Sequence, residues 1–557
     1  MLRSISNTAS PAAPRSRICV SSKHLFTNNY NYNYNYNYNY YSTMASTATL
    51  SNLYAKPETV QRLYRFYSSF EPAQKLSIKD INQQTVEAKY AVRGKIPIIA
   101  DGLLEIIKKN PVDHGLPFSK IINANIGNPQ QLDQKPLTWY RQVMSILQYP
   151  NLLDMNVDFP QDVQKRAKTI LDNIGSLGAY SHSQGSPFIR QSIANFITER
   201  DNGTLPANAN NIFLTSGAST AVSYLLQILS KDQQSGFLIP IPQYPLYTAS
   251  IALNDAKPIG YYLDESNQWA TNHEEIRQLI TQNKSQGVNI KALVVINPGN
   301  PTGAVLARDE MKALIDICAE HGIVLIADEV YQENVFDGKK FISFKRVLGE
   351  LLEKDYNLYK NVQLASLHST SKGVSGECGQ RGGYMELVGF SDDVKDVIFK
   401  LASINLCSPV SGQAMVELMI NPPRKGDESY DLYKQETGEI FDDLKERANY
   451  LYEAFTGMED IAVDKPEGAM YIFPRLDFDP TKYHKLFSRA RNSNLLIDDV
   501  YCIELLENTG ICCVPGNGFG QKPDTFHLRT TFLPPGKEWI EHWSDFHKAF
   551  VKKYKDV

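Results

Sequence analysis

The chain has 557 residues, of which 42% are hydrophobic and 21% are charged, and its formal net charge is −4. This length exceeds one ordinary domain and predicts two or more packed domains, while the balanced charge excludes the strongly basic surface that nucleic-acid binding requires. The apolar runs are short and are interrupted by glycine and proline, so the sequence predicts a soluble protein with no membrane span.

The first segment, residues 1–43, is predicted to be a mitochondrial presequence followed by a low-complexity tract, which places the protein in the mitochondrial matrix. Residues 1–57 contain basic residues and many Ser, Thr and Asn but no Asp or Glu, a composition typical of import signals. Residues 29–41 repeat Asn and Tyr and lack the composition of a packed core. Two alternatives stay open: a merely disordered tail, and a start at Met44 that would give a cytoplasmic form.

The seven cysteines are odd in number and include no paired CxxC spacing of the kind that binds zinc. We therefore expect reduced thiols of an intracellular protein and no metal site.

Folded structure is predicted to begin near Ser77. Residues 123–130, NANIGNPQ, form a turn whose backbone can approach a ligand closely. The loop GAYSHSQG at 178–185 leads into Ser186 and Pro187, a predicted N-cap and first helical position. A helix follows whose apolar face is predicted to be core, and residues 201–203 end it.

A series of short apolar strands then alternates with polar loops. Four of the predicted strands are each followed by a polar loop: the strands lie at 212–214, 292–296, 323–326 and 362–367, and the loops read GAST, NPGNPTG, ADEVY and STSKG in the same order. The helix between the second and third of these strands has Asp309 in its first turn and Gly322 as its stop, which predicts a parallel crossover unit. Because ligands gather at the carboxyl ends of parallel strands, the four polar ends are expected to meet.

The pattern changes after about residue 421 to that of an α+β region. It predicts a charged helix at 436–452, a strand at 468–473, a helix near 492–506 and a last strand ending at Arg529. An unpaired guanidinium is unfavourable in an apolar strand, so Arg529 should meet an anion.

The loop that follows the strand at 362–367 carries Lys372 and Arg381 among serines and glycines. Desolvation lowers the pKa of a lysine and makes it a nucleophile for carbonyl groups. Hydroxyl groups and a guanidinium suit a phosphate. Pyridoxal phosphate (PLP) needs both, although a plain solvated loop is the alternative for an isolated SK pair.

The chain resembles the class I/II aminotransferases of fold type I in five ordered motifs, and more narrowly the eukaryotic alanine aminotransferases. The motifs read NIGNPQ, LTSGAS, INPGNPTG, ADEVYQ, and HSTSKG followed by GECGQRGGY. The resemblance implies an α/β fold: a large, mainly parallel-sheet domain with helices on both faces, and a smaller α+β domain built from N- and C-terminal segments. It implies an N-terminal arm and part of the small domain at 44–160, the large PLP-binding domain at 161–420, and the C-terminal small domain at 421–557.

By this resemblance, Lys372 is the Schiff-base lysine and general base, and Asp328 faces the pyridine nitrogen of PLP and keeps it protonated. Tyr331 and Asn300 match the partners of the ring oxygen, and Tyr244 matches the aromatic residue that stacks on the ring.

The resemblance also assigns residues that bind the α-carboxylate of the substrate and the phosphate of the cofactor. Arg529 matches the arginine that binds the substrate α-carboxylate, and Gly127 matches a backbone contact to the same group. Tyr180 is the candidate for a tyrosine that contacts the phosphate of the neighbouring subunit, which implies a homodimer. The phosphate cradle matches Ala218, Ser219, Ser369 and Arg381.

The implied activity is reversible ping-pong transfer of an amino group from L-alanine to 2-oxoglutarate, which yields pyruvate and L-glutamate. The alternatives are a glutamate:glyoxylate aminotransferase or another class I/II aminotransferase, a lyase of the same fold, and a noncatalytic PLP-binding regulator. The expected partners are small amino acids and 2-oxo acids. The preferred donor depends on pocket shape, which the motifs do not encode.

Overall fold

The computed structural model describes residues 75–88, 94–155 and 157–556. The chain divides after Ser77, and every element given below belongs to the unit that begins at Ile78. The predicted presequence, the Asn/Tyr tract and Met44 lie outside the described residues.

The described residues form short strands and longer helices in alternation. The strands are β1 (Ile122–Asn123), β2 (Ile212–Ser216), β3 (Ser235–Ile241), β4 (Lys257–Asp264), β5 (Ala270–Thr271), β6 (Asn289–Ile296), β7 (Val324–Asp328), β8 (Leu364–Ser369), β9 (Gly382–Val388), β10 (Ile461–Ala462), β11 (Tyr471–Ile472), β12 (Arg475–Leu476), β13 (Ile511–Cys512), β14 (Val514–Pro515) and β15 (Leu528–Thr531). The helices are α1 (Gln83–Glu87), α2 (Lys95–Lys109), α3 (Thr138–Gln148), α4 (Gln161–Ile174), α5 (Pro187–Arg200), α6 (Ala218–Leu229), α7 (Leu246–Leu253), α8 (His273–Ser285), α9 (Arg308–His321), α10 (Phe344–Lys354), α11 (Tyr356–Tyr359), α12 (Asp392–Ile404), α13 (Val410–Ile420), α14 (Tyr430–Thr456), α15 (His484–Asn492), α16 (Ile497–Thr509) and α17 (Glu538–Tyr554).

The central feature is an eight-stranded sheet in the order β2-β9-β8-β7-β6-β3-β4-β5. The five adjacent strands β8, β7, β6, β3 and β4 are parallel to one another. Strand β9 is antiparallel to both β2 and β8. The predicted parallel crossover from β6 through α9 to β7 is confirmed, and Gly322 ends α9 with φ +65°.

Helices cover both faces of this sheet because successive strand residues point to opposite sides. On β3, Phe237 and Ile239 join a core with α6, α7 and α12. Leu238, between them, joins a second core with α8, α9 and α10. The predicted α/β architecture with helices on both faces is therefore confirmed.

Helix α5 begins at Pro187, as the sequence predicts, and ends before Asp201. Ser186 occupies the N-cap position, but its side chain makes no cap hydrogen bond. Three isoleucines of the predicted apolar face are fully packed, whereas Phe188 and Phe196 are half-buried. The packed residues are Ile189, Ile193 and Ile197.

The C-terminal region builds a further core with N-terminal residues such as Ile96 and Ala124. Strand β15 pairs with β11 and β14 in a small antiparallel sheet. This pairing extends β15 to Thr531, so the predicted strand end at Arg529 is wrong by two residues. Val514 lies opposite Arg529 in this sheet.

Two other C-terminal boundaries differ from the sequence prediction. The helix predicted near 492–506 is α16, which begins only at Ile497. Asn494 takes a left-handed conformation with φ +52° and separates α16 from α15. The strand predicted at 468–473 shrinks to β11, since Ala469 has φ +60° and cannot continue an extended strand. The charged helix at 436–452 is confirmed within the longer α14.

Other sequence expectations concern thiols, metals and membranes. The six cysteines within the described residues are free thiols. Over that same part of the chain, no group of three or more His, Cys, Asp and Glu residues could hold a metal ion. None of the described helices is both long and apolar enough to cross a membrane.

A buried ion pair joins α10 to the central sheet. Lys345 and Glu386 each expose 1% of their side chains, and the Lys345 Nζ donates a hydrogen bond to Glu386 Oε1. Burial is the main cause that lowers the pKa of Lys345 and raises the pKa of Glu386. The second carboxylate oxygen has no hydrogen-bond partner among the described residues. Each charge therefore depends on the other.

We expect Lys345→Met to lower the free energy of unfolding by about 3–5 kcal/mol, because it leaves the Glu386 carboxylate buried without its cation. Adding Glu386→Leu should restore most of the loss. Urea unfolding followed by tryptophan fluorescence measures both variants, with the exposed Lys284→Met as the matched control. A Lys345→Met midpoint equal to that of the control would contradict this account.

Candidate active site

A cavity of about 640 Å³ lies at the carboxyl ends of the central strands. It is lined by all but one of the site residues predicted from the sequence. These are Gly127, Ala218, Ser219, Tyr244, Asn300, Asp328, Tyr331, Ser369, Lys372, Arg381 and Arg529. The exception is Tyr180, which lies in the loop before α5 with 77% of its surface exposed.

Lys372 projects into this cavity from the loop after β8. Its Nζ donates a hydrogen bond to the carbonyl of Gly127 over 3.0 Å and lies 5.7 Å from the centre of the Tyr331 ring. A Cβ atom at position 127 would collide with the Tyr471 hydroxyl. Glycine at this position therefore allows the backbone to pass close to Tyr471.

Asp328 is the last residue of β7 and is buried. Burial raises the pKa of its carboxyl to about 6, against the hydrogen bond that Tyr247 donates to Oδ2 over 2.8 Å. Oδ1 is buried and accepts no hydrogen bond from the described residues. An orphaned carboxylate oxygen on the cavity wall fits a protonated ring nitrogen.

The phosphate side of the cavity combines a helix N-terminus with hydroxyl groups and a guanidinium. Helix α6 begins at Ala218 after Gly217, whose φ is +73°. A Cβ at Gly217 would lie 2.5 Å from Arg381 Nη2. The Ser369 hydroxyl lies 2.9 Å from that of Ser371. Free N–H groups and the positive end of the helix dipole make this a place for a phosphate.

Arg381 is held in position by carbonyl groups. Its Nη1 donates to the Cys378 carbonyl and its Nη2 to the Ser216 carbonyl, both over 3.0 Å. The residue has φ +56°, so the chain turns sharply between the lysine loop and β9. The guanidinium thus faces the start of α6.

Arg529 exposes only 1% of its surface. Its Nη1 donates to Asn300 Oδ1 over 3.1 Å, and its Nη2 donates to the Asn125 carbonyl. The guanidinium carbon lies 4.2 Å from the centre of the Tyr471 ring and 4.5 Å from that of Phe519. Its Nε is buried without a hydrogen-bond partner among the described residues. A planar cation held in this way suits a carboxylate.

Sequence reasoning missed several residues of this site. Tyr247 follows Tyr244 by one short turn in PQYPLY and reaches Asp328, yet nothing in that spacing distinguishes it from a core tyrosine. Tyr471 and Phe519 come from distant segments and could not be placed without the fold. Arg141, on α3, also borders the cavity, and its helical position in the sequence resembles that of any surface arginine.

The cavity can accommodate a planar phosphorylated ring with a basic nitrogen. Asp328 and the α6 N-terminus lie on its wall with Arg381, and Lys372 is the amine that projects into it. Arg529 remains available for a substrate carboxylate. This set fits PLP and an amino acid, both by charge and by the Oδ1 of Asp328, which has no hydrogen-bond partner among the described residues.

Comparison with known proteins agrees with this chemistry. Residues 147–538 match the family model for aminotransferases of class I and II. The mitochondrial alanine aminotransferase of Saccharomyces cerevisiae is 54% identical over 88% of this chain and 83% of its own length. A second S. cerevisiae relative, named an inactive alanine aminotransferase, is 52% identical over 87% of this chain and 96% of its own length.

Among solved structures, the alanine aminotransferase of Pyrococcus furiosus superposes with a TM-score of 0.65 at 25% identity. The alignment covers 84% of this chain and 100% of that structure. The fold is therefore that of known aminotransferases, the sequence similarity extends over most of the chain, and the chain belongs to the class I and II aminotransferase family.

Proposed function

We propose that the chain catalyses reversible amino transfer from L-alanine to 2-oxoglutarate in a ping-pong reaction with pyridoxal phosphate as its cofactor. Aminotransferases of this class depend on PLP. The main support is that Lys372, Asp328 and Arg529 line one cavity at the strand ends. The named activity of the S. cerevisiae and P. furiosus relatives supports alanine as the donor.

In this proposal, PLP supplies an electron sink for the negative charge that develops on the substrate Cα. Lys372 would hold the cofactor through its Nζ and would then serve as the base that takes the proton from the substrate Cα. The Gly127 carbonyl, 3.0 Å from Nζ, holds the amine on the cavity side. Asp328 would hold the ring nitrogen, and its Oδ1 is the oxygen free to do so because Tyr247 donates to Oδ2.

The remaining residues orient the two molecules. Arg529 binds the α-carboxylate, with each charged hydrogen bond contributing on the order of 1.5–3 kcal/mol. Asn300 accepts a hydrogen bond from that guanidinium and, with Tyr331, would bind the ring oxygen of the cofactor. The backbone of Gly127, which also lines the cavity, would contact the α-carboxylate. Tyr244 and Tyr331 fix the plane and electronics of the ring. The phosphate is bound by Ala218, Ser219, Ser369 and Arg381.

A second candidate is a noncatalytic PLP-binding protein, because one relative of 52% identity is named inactive. Overall sequence identity does not distinguish this candidate from an active enzyme. A measured half-reaction with an amino acid does distinguish them.

We expect purified protein to show a visible absorption band of lysine-bound cofactor that L-alanine removes and 2-oxoglutarate restores. Lys372→Ala should bind PLP without this band and should not respond, because no amine is left to bind the carbonyl carbon or carry the proton. Lys360→Ala, an exposed lysine, is the matched control. A wild-type spectrum that ignores both alanine and glutamate would reject the proposal, and a panel of donors and acceptors that favours glyoxylate would reassign the substrate.

The affinity for PLP should rise with pH between about 5 and 7 because the Asp328 carboxyl, whose pKa is about 6, must ionise to pair with the ring nitrogen. Below that pKa the free protein holds a proton that binding has to release, so affinity falls by at most about tenfold per pH unit. Burial raises the pKa of this carboxyl in the folded protein above its value in the unfolded chain. The folded protein therefore loses stability as pH rises from the unfolded pKa to the folded pKa, because the buried carboxyl must then ionise.

Equilibrium titration of PLP across this pH range provides the measurement. Asp328→Asn should bind more weakly and lose the part of the pH dependence that belongs to the carboxyl, leaving only the titration of the cofactor itself. An identical pH dependence in both proteins would contradict the role of Asp328.

We further propose a homodimer in which Tyr180 of the partner subunit contacts the cofactor phosphate. The exposure of Tyr180 and its absence from its own cavity support this arrangement. Tyr180→Phe should then weaken PLP binding about tenfold, the value of one charged hydrogen bond. Tyr356→Phe, also exposed, should have no effect. A monomer in sedimentation that retains full cofactor affinity would contradict the dimeric site.

The mitochondrial name of the S. cerevisiae relative and the acid-free leader support a mitochondrial location. We propose the matrix as the main site of the protein, with a cytoplasmic form from Met44 if that start is used.

A further inference from the structure

Three guanidinium groups line the cavity: Arg141, Arg381 and Arg529. Under the proposed function, on which this inference rests, two of them already have an anion: Arg381 has the cofactor phosphate and Arg529 the α-carboxylate. Glutamate and 2-oxoglutarate carry one more carboxylate, whereas alanine and pyruvate do not. The third guanidinium is the group on the cavity wall that matches this additional charge.

Arg141 lies on α3, and 39% of its side chain is exposed. Its Nη2 donates to Gln130 Oε1 over 3.2 Å and to Glu377 Oε2 over 3.1 Å. Its Nη1 lies 2.9 Å from Glu377 Oε1 but makes no hydrogen bond there. A guanidinium has five donors, and those of Nη1 make no hydrogen bond with the described residues, so they remain for a ligand.

Glu377 is the counter-ion of this arginine, and only 3% of its side chain is exposed. It lies in the loop between Lys372 and Arg381, where its backbone N–H donates to the Thr370 carbonyl over 2.8 Å. A carboxylate this deeply buried requires a cation. Arg141 therefore has an internal partner whenever no ligand carboxylate reaches it.

The order of contacts along one short segment sets the direction of a bound substrate. The Asn125 carbonyl accepts from Arg529, the Gly127 carbonyl accepts from Lys372, and the Gln130 side chain accepts from Arg141. Five residues of chain span at most about 18 Å when fully extended, and this segment is turned. A substrate with its α-carboxylate on Arg529 and its Cα at Lys372 thus extends its side chain towards Gln130 and Arg141.

We propose that Arg141 binds the distal carboxylate of five-carbon substrates, and that Glu377 pairs with it alone when a three-carbon substrate occupies the site. The site then accepts the methyl side chain of alanine and the carboxyethyl side chain of glutamate, and the buried Glu377 carboxylate keeps Arg141 as its cation in both complexes. Specificity for dicarboxylates follows from a cation that is already held in place.

The test uses two variants so that no buried carboxylate loses its partner. Glu377→Gln keeps Arg141, whereas Arg141→Met combined with Glu377→Gln removes the guanidinium as well. The matched control is Arg166→Met combined with Glu417→Gln, since Arg166 contacts the buried Glu417 over 3.0 Å in a similar ion pair and neither residue borders the cavity.

The first readout is equilibrium binding of glutarate and butyrate to the PLP-loaded protein by calorimetry. We expect the double variant to lose about 10- to 100-fold in glutarate affinity, the effect of one or two charged hydrogen bonds, with butyrate changed less than about twofold. Glu377→Gln should bind glutarate at least as tightly as wild type. The half-reactions provide a second readout, in which kcat/KM for glutamate should fall in the double variant by the same factor relative to alanine.

Unchanged glutarate binding in the double variant, or an equal loss for glutarate and butyrate, would overturn the assignment of Arg141. If the wild type reacts with alanine in that case, only this inference fails. A wild type that reacts with neither alanine nor glutamate would instead overturn the proposed function, whatever the titrations show.

Discussion

Parallel pairing of the central strands is the constraint on which the site depends. Because β6, β7 and β8 are parallel and in register, Ile296, Asp328 and Leu367 lie level across the sheet. The residues that follow each strand therefore emerge at one edge, where the backbone can no longer satisfy all its own polar groups. Loops that would be scattered in another topology there form a single wall, with Lys372 at its centre.

The sequence was most informative where chemistry and chain order coincide. Asp328 ends β7 and Lys372 lies in the loop after β8, so their meeting at one edge of the sheet followed from the strand order. Arg381 belongs to the same loop and lies just before β9. Prediction failed at boundaries set by single backbone conformations, such as Asn494, and where strand pairing extends an element, as β15 shows. Arg529 was expected to meet an anion, but its aromatic surroundings depend on packing between distant segments that no local pattern reveals.

Charge explains why the cavity is more than a cofactor pocket. A deeply buried cation such as Arg529, flanked by two aromatic rings and neutral oxygen atoms, is unfavourable without a ligand anion. The buried carboxylate oxygen of Asp328 that lacks a hydrogen bond is likewise unfavourable without a ligand that donates to it. The protein keeps both groups, which favours a site built for a charged cofactor and a charged substrate. A relative named as a mitochondrial alanine aminotransferase and one named inactive are almost equally similar to the chain, so these local features favour an active enzyme more directly than overall identity does.

The most direct measurement of the central claim is the exchange of the α-proton of L-alanine in D₂O with the PLP-loaded protein and no 2-oxo acid, followed by proton NMR. If Lys372 moves the Cα proton, the α-proton signal disappears with wild type and persists with Lys372→Ala, whose rate should be about 10²–10⁴-fold lower. Persistence of the signal with wild type, with cofactor bound, would contradict the account and leave a protein that binds PLP without acting on alanine.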